Sequence, residues 1–127
     1  MASIIVISGT NKGDYYPLGQ RTSVIGRDEA LPIQILDKLV SRKHMKIHFD
    51  KYKQTYCAVD MDSKHGILIN GIKTSQSKLA DNDYITIGKT TLFFTLRDFA
   101  HRDNAILHYK KMGERRNPTI TNNDANL

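Results

Sequence analysis

Asn70-Gly71 stands between the apolar runs Ile67-Leu68-Ile69 and Ile72-Lys73, and no other local signal in the chain is as strong. Both central residues of a type I′ turn need positive φ. Asparagine tolerates that conformation and glycine adopts it freely, so Asn-Gly between apolar runs predicts a two-residue β-hairpin. The surrounding sequence has the same texture. Residues 44–49 alternate, with Met45, Ile47 and Phe49 on one face and His44, Lys46 and His48 on the other. That is the pattern of a half-buried strand. Residues 56–61 alternate too, and we read Cys57, Val59 and Met61 as the inward set. Residues 3–8 form an Ile/Val-rich run that reads as a buried strand. Shorter strands are expected at 15–18, where Pro17 suggests an edge, and at 23–27 and 33–35. Two more are expected at 84–87 and 91–96, joined at Gly88-Lys89.

Helical periodicity is missing from residues 1–97, and many short strands with close turn signals predict an all-β sandwich or barrel. After Arg97 the texture changes. Residues 98–112 are expected to form one helix whose few apolar residues are Phe99, Ile106, Leu107 and Tyr109, stopped by Gly113 and Pro118. Residues 117–127 are polar and are expected to be disordered in isolation. The division is therefore a β domain over 1–97 and an extension over 98–127.

A chain of 127 residues is long enough to bury one core without staples. Its single cysteine, Cys57, rules out an internal disulfide and a four-cysteine zinc site; it reads as plain core. No run approaches the roughly 18 apolar residues that a membrane span needs. The start has neither a basic n-region nor a cleavage-type tail, so no signal peptide is expected and the expected compartment is cytoplasmic. The net charge is +6, but lysine and arginine are scattered, with no basic–aromatic interleaving. Nucleic-acid binding is therefore disfavoured. The five histidines have no ligand spacing, Gly9 to Gly13 lacks the order of a phosphate-binding P-loop, and no nucleophile–base pairing is legible. Neither a metal, a cofactor nor an enzymatic activity is expected. Asp60 and Asp62 are two apart on one strand, and a structural role is the simpler reading.

What remains is a set of clusters at strand ends: Gly26-Arg27, Ser41-Arg42-Lys43-His44, Ser63-Lys64-His65-Gly66 and Asn70-Gly71. Strand ends deliver loops to one edge of a sheet, so these clusters can converge. Together they present guanidinium, hydroxyl and ammonium groups, which is chemistry for a small doubly charged anion such as phosphate.

Over residues 3–97 this order resembles the forkhead-associated (FHA) domain family. The resemblance is carried by Gly9…Gly13…Leu18, Gly26-Arg27, Ser41-x-x-His44, Asp60-x-x-Ser63-x-x-Gly66, Asn70-Gly71 and Leu79-x-x-x-Asp83-x-Ile85-x-Ile87-Gly88. It implies a twisted β-sandwich of about eleven strands that reads phosphothreonine in partner proteins. It also implies that Arg27 and Ser41 contact phosphate, that Arg42 assists, that His44 braces the loops and that Gly26 shapes the backbone. Gly66, Asn70 and Gly71 belong to the structural motif. Where the family usually has Thr-Asn-Gly, this chain has Lys64-His65-Gly66. Lys64 then adds charge, and His65 offers one bond to the peptide backbone in place of an amide fork. The departure keeps an alternative open, an FHA-fold scaffold that binds partners without phosphate. Thr121 is followed three residues later by Asp124, so phosphorylated Thr121 or Thr119 is also a candidate self-ligand.

Overall fold

The structure, a computed structural model, describes residues 2–116. Eleven strands form two sheets. They are β1 (Ser3–Ser8), β2 (Tyr15–Pro17), β3 (Ser23–Gly26), β4 (Ile33–Gln34), β5 (Met45–Asp50), β6 (Thr55–Asp60), β7 (Ile67–Ile69), β8 (Ile72–Thr74), β9 (Gln76–Lys78), β10 (Asp83–Ile87) and β11 (Thr90–Thr95). A helix, α1 (Arg102–Arg116), follows. One sheet runs β2-β1-β11-β10-β7-β8 and the other β4-β3-β5-β6-β9. Only β3 and β4 pair in parallel among the paired strands.

The β7–β8 hairpin closes at Asn70 (φ 52°) and Gly71 (φ 83°), with Ile69 opposite Ile72. This is the turn that the Asn-Gly pair predicts. Between the sheets lies the main core, which includes Ile4, Ile25, Ile47, Ala58, Ile67, Ile85, Leu92 and Phe94. The unbroken apolar runs in β1 and β11 have a physical reason: both faces of these strands are covered. Ile4 and Phe94 point between the sheets, while Ile5 and Phe93 point outward beneath α1.

Three expectations need correction. First, β6 has the opposite facing from that read in the sequence. Tyr56 and Ala58 are buried, whereas Cys57, Val59 and Met61 are only half-buried. The partner strand decides: inward Ile47 pairs with Ala58, and exposed His48 pairs with Cys57. Because both faces of β6 carry apolar residues, alternation alone could not choose between them. Cys57 is thus not a core residue. Second, β9 was not foreseen, because Gln76-Ser77-Lys78 has no apolar alternation; it is an edge strand held by backbone pairing to β6.

Third, the helix starts four residues later than expected and runs through Gly113 to Arg116. Residues 98–100 are held outside it. The Tyr15 hydroxyl accepts the Phe99 N–H at 2.7 Å and donates to the Phe99 carbonyl at 3.2 Å. A mid-helix glycine is unfavourable by about 1 kcal/mol, which does not forbid a helix packed on a sheet. Its packed face is Ala105, Ile106, Tyr109 and Met112, and Leu107 is 53% exposed. Thr119 and Thr121, and the disorder expected over 117–127, lie outside the described residues.

Candidate functional site

Gly26 ends β3, and its surroundings explain why the site needs a glycine there. Arg27 N–H donates to the Ser41 carbonyl at 3.0 Å and Asp28 N–H to the Arg42 carbonyl at 3.2 Å, so the two loops lie backbone to backbone. A Cβ on Gly26 would sit 2.1 Å from the Arg42 carbonyl oxygen and 2.9 Å from that of Ser41. Only a residue without a side chain allows this approach.

His44 locks the arrangement from below. It is fully buried. Its Nδ1 accepts the Ser41 N–H at 2.9 Å, and its Nε2 lies 2.7 Å from the Gly66 carbonyl oxygen. A backbone N–H can only donate and a carbonyl can only accept, so the ring is the neutral tautomer with its proton on Nε2. One imidazole therefore ties the β4–β5 loop to the β6–β7 loop. Ser63 shapes the second of these loops. Its hydroxyl donates to Asp60 and accepts the Gly66 N–H at 2.8 Å, while Gly66 takes a φ of 76°. Asp60 is thereby engaged as a structural carboxylate.

Above this brace lies a cavity of about 240 Å³, lined by Arg27, Lys38, Leu39, Val40, Ser41, Lys64 and His65. It is smaller than the about 300–1,000 Å³ typical of sites for drug-sized ligands, and suits a small group. Arg27 is anchored by its Nε, which donates to the Val40 carbonyl at 3.0 Å. Ser41 Oγ accepts the Lys64 N–H at 3.1 Å, which leaves its own O–H as a donor. Among the described residues three cationic side chains line the cavity and no carboxylate does. The field there is positive, and the donors are of the kind that bind phosphate oxygens.

The structure brings together Arg27, Ser41, Lys64 and His65. Arg42 is exposed and is not among the cavity's lining residues; its carbonyl serves the backbone contact with Asp28. Lys38, Leu39 and Val40 line the cavity but carried no sequence signal beyond lying just before Ser41. Asn70 works elsewhere. Its amide donates to Asp83 at 2.9 Å and its Oδ1 accepts the Tyr84 N–H at 2.9 Å, fastening the hairpin to β10. Among the described residues no group of three or more His, Cys, Asp or Glu side chains could hold a metal.

The sandwich and the loop cluster define a forkhead-associated domain. The family model described as "Inner membrane component of T3SS, cytoplasmic domain" matches residues 5–98, and the chain belongs to this family of FHA-like domains. Among curated relatives, it is 34% identical over 93 residues to the oxoglutarate dehydrogenase inhibitor of Corynebacterium jeikeium, covering 73% of this chain and 63% of that one. Among solved structures, it superposes on the FhaA FHA domain complexed with the intracellular domain of Rv3910, with a TM-score of 0.66 and 26% identity, covering 74% of this chain and 99% of that one. It also matches Mycobacterium tuberculosis EmbR in complex with a low-affinity phosphopeptide, with a TM-score of 0.68 and 27% identity, covering 79% of this chain and 25% of that one. The chain spans 63% and 15% of the length of the first two curated relatives that it matches. Among the described residues no helix is long and apolar enough to cross a membrane.

Proposed function

We propose that this domain is a non-catalytic, cytoplasmic module that captures phosphothreonine in a partner protein. One observation carries the reading: Arg27, Lys38, Ser41 and Lys64 surround a single small cavity that no carboxylate among the described residues lines. The similarity to a structure of EmbR with a phosphopeptide supports it. Arg27 makes charge-assisted bonds to the phosphate from an anchored guanidinium. The Ser41 hydroxyl donates a further bond. Lys64 adds charge from the facing loop, and His65 meets the peptide main chain. Arg42, exposed on the adjoining loop, contributes attraction at longer range. Leu39 on the cavity wall, 38% exposed, gives the threonine γ-methyl an apolar neighbour that serine would leave unused. Residues 1–97 carry this function, and 98–127 form an extension to it.

The test is fluorescence polarisation with one peptide made in three forms: phosphothreonine, phosphoserine and unphosphorylated threonine. Bonds to a charged partner contribute about 1.5–3 kcal/mol each, so Arg27→Ala should weaken phosphothreonine binding at least about tenfold. Equal binding of phosphorylated and plain peptide, unchanged by Arg27→Ala, would replace this reading with that of a phosphate-independent scaffold.

A further inference from the structure

Two histidines serve the loop cluster, and they are held in opposite ways. The His44 ring has both nitrogens engaged, one accepting the Ser41 N–H and the other donating to the Gly66 carbonyl. His65 is exposed and lines the anion cavity, and its ring makes no hydrogen bond among the described residues. Its backbone is nonetheless fixed on either side. The Lys64 N–H donates to Ser41 Oγ at 3.1 Å, the Gly66 N–H donates to Ser63 Oγ at 2.8 Å, and the Gly66 carbonyl accepts from His44. A pinned loop thus carries a ring with two uncommitted nitrogens to the rim of the cavity. The charges around it are one-sided. Arg27 comes from just past β3, Lys38 from the β4–β5 loop and Lys64 from the loop of His65 itself. Lys73 of β8 lies behind that loop, since a Cβ on Gly66 would sit 3.0 Å from Lys73 Cε. Asp28, Glu29, Asp37, Asp60 and Asp62 stand on the same loops or at their ends, but none of them lines the cavity.

A neutral imidazole has one N–H and one acceptor nitrogen, and only the imidazolium donates from both. A phosphate oxygen and a peptide carbonyl are both acceptors. To bond the two at once, the ring must take up a proton. Histidine titrates close to neutrality, and an opposite charge within about 4–6 Å favours its charged form. Resting on the phosphopeptide reading above, we propose that His65 holds the ligand as an imidazolium, donating one N–H to a phosphate oxygen and the other to the peptide main chain. Capture of phosphothreonine then takes up a proton from solvent and strengthens as pH falls toward neutrality. An asparagine amide in place of the ring would offer the same bonds at every pH, so the coupling follows from the histidine.

The experiment measures the affinity of the full chain for an acetylated phosphothreonine peptide from about pH 7 to 8.5, in parallel with His65→Asn. The phosphate, whose second pKa is about 6, stays a dianion across this range, and lysine and arginine stay charged. A rise of about one in a histidine pKa that is about 6.5 in the free state makes binding about threefold tighter at pH 7 than at pH 8.5. Wild type should show that gain, and the His65→Asn profile should be flat. The ring C–H resonances of His65, assigned by their loss in the variant, give a second reading that does not need the variant to bind. With saturating phosphopeptide their titration midpoint should move up by about one pH unit. A flat wild-type profile, a slope shared by His65→Asn, or a midpoint that the peptide leaves in place would overturn the proposal. Equal binding of phosphorylated and unphosphorylated peptide at every pH sinks the phosphate reading, and the proton uptake with it. Retained phosphate dependence with a flat profile sinks the proton uptake alone.

Discussion

The loop cluster at one end of the sandwich and the helix-covered face of the six-stranded sheet are held by different forces. In the cluster, side chains bond backbone: His44 to Ser41 and Gly66, Ser63 to Gly66, Arg27 to Val40, Asp37 to Leu39 and Lys89. Each bond is directional and has one acceptable partner. On the covered face, Ile5, Phe93 and Ala105 are buried together, and Tyr84, Tyr109 and Met112 pack around them. The Phe93 ring meets Tyr109 edge-on at 5.2 Å and Tyr84 at 5.5 Å. That packing contributes through area and tolerates changes of residue type. The cluster thus governs where loops point, whereas the covered face governs how much stability stands behind them.

The contrast can be broken by substitution. The largest effect should come from Phe93→Ala, which opens a cavity beneath α1. Removing a buried aromatic ring typically destabilises by about 3–5 kcal/mol. Urea unfolding should show that loss, while the folded fraction keeps its phosphopeptide affinity. If affinity falls as well, the two regions are coupled and the division fails.

His44→Ala should cost less in stability and far more in binding. It leaves the partly buried Ser41 N–H and Gly66 carbonyl without their partner, at about 0.5–1.5 kcal/mol for each hydrogen bond lost. The two loops then lose their common tie, so affinity should drop even at temperatures where the variant is fully folded. Thermal unfolding and polarisation on the same sample separate the two effects. A variant that loses stability alone would show that His44 does not position the site.

The smallest effect concerns Asp37. Burial pushes its carboxyl up, but the hydrogen bonds from Leu39, Thr90 and Lys89, with the Lys89 charge, outweigh burial and hold it below the ordinary value. The folded form is therefore favoured once the group is ionised. The sign follows from linkage: the contribution is present above the unfolded pKa of about 3.9 and is lost as pH falls below it. Comparing wild type with Asp37→Asn by thermal melts, the wild-type advantage should be full near neutrality and shrink in acid below about pH 4. An advantage that is constant across this range would place the effect in packing and not in charge.

How much of this was legible in the sequence follows the same contrast. The hairpin at Asn70-Gly71 was legible because positive φ restricts residue choice so sharply. Gly26, Ser41 and His44 drew notice through their order along the chain, although the backbone collision that makes Gly26 necessary is visible only when two loops distant in sequence are placed together. Leu39 carries no such mark, since a leucine in a loop looks the same whether it is buried or presented. The facing of β6 was misread because Tyr56 and Cys57 are both acceptable core residues, and only the pairing of Ile47 with Ala58 decides. The helix register was misread because Tyr15, far away in sequence, holds Phe99 outside it.

The central claim is that phosphate binds where Arg27, Ser41 and Lys64 converge. Amide chemical shifts recorded while a phosphothreonine peptide is titrated into the full chain test this directly. The account predicts the largest changes at residues 27, 38–41 and 64–66, none of comparable size on α1, and no response to the unphosphorylated peptide. Changes centred on the helix or on β9, or an equal response to both peptides, would contradict it.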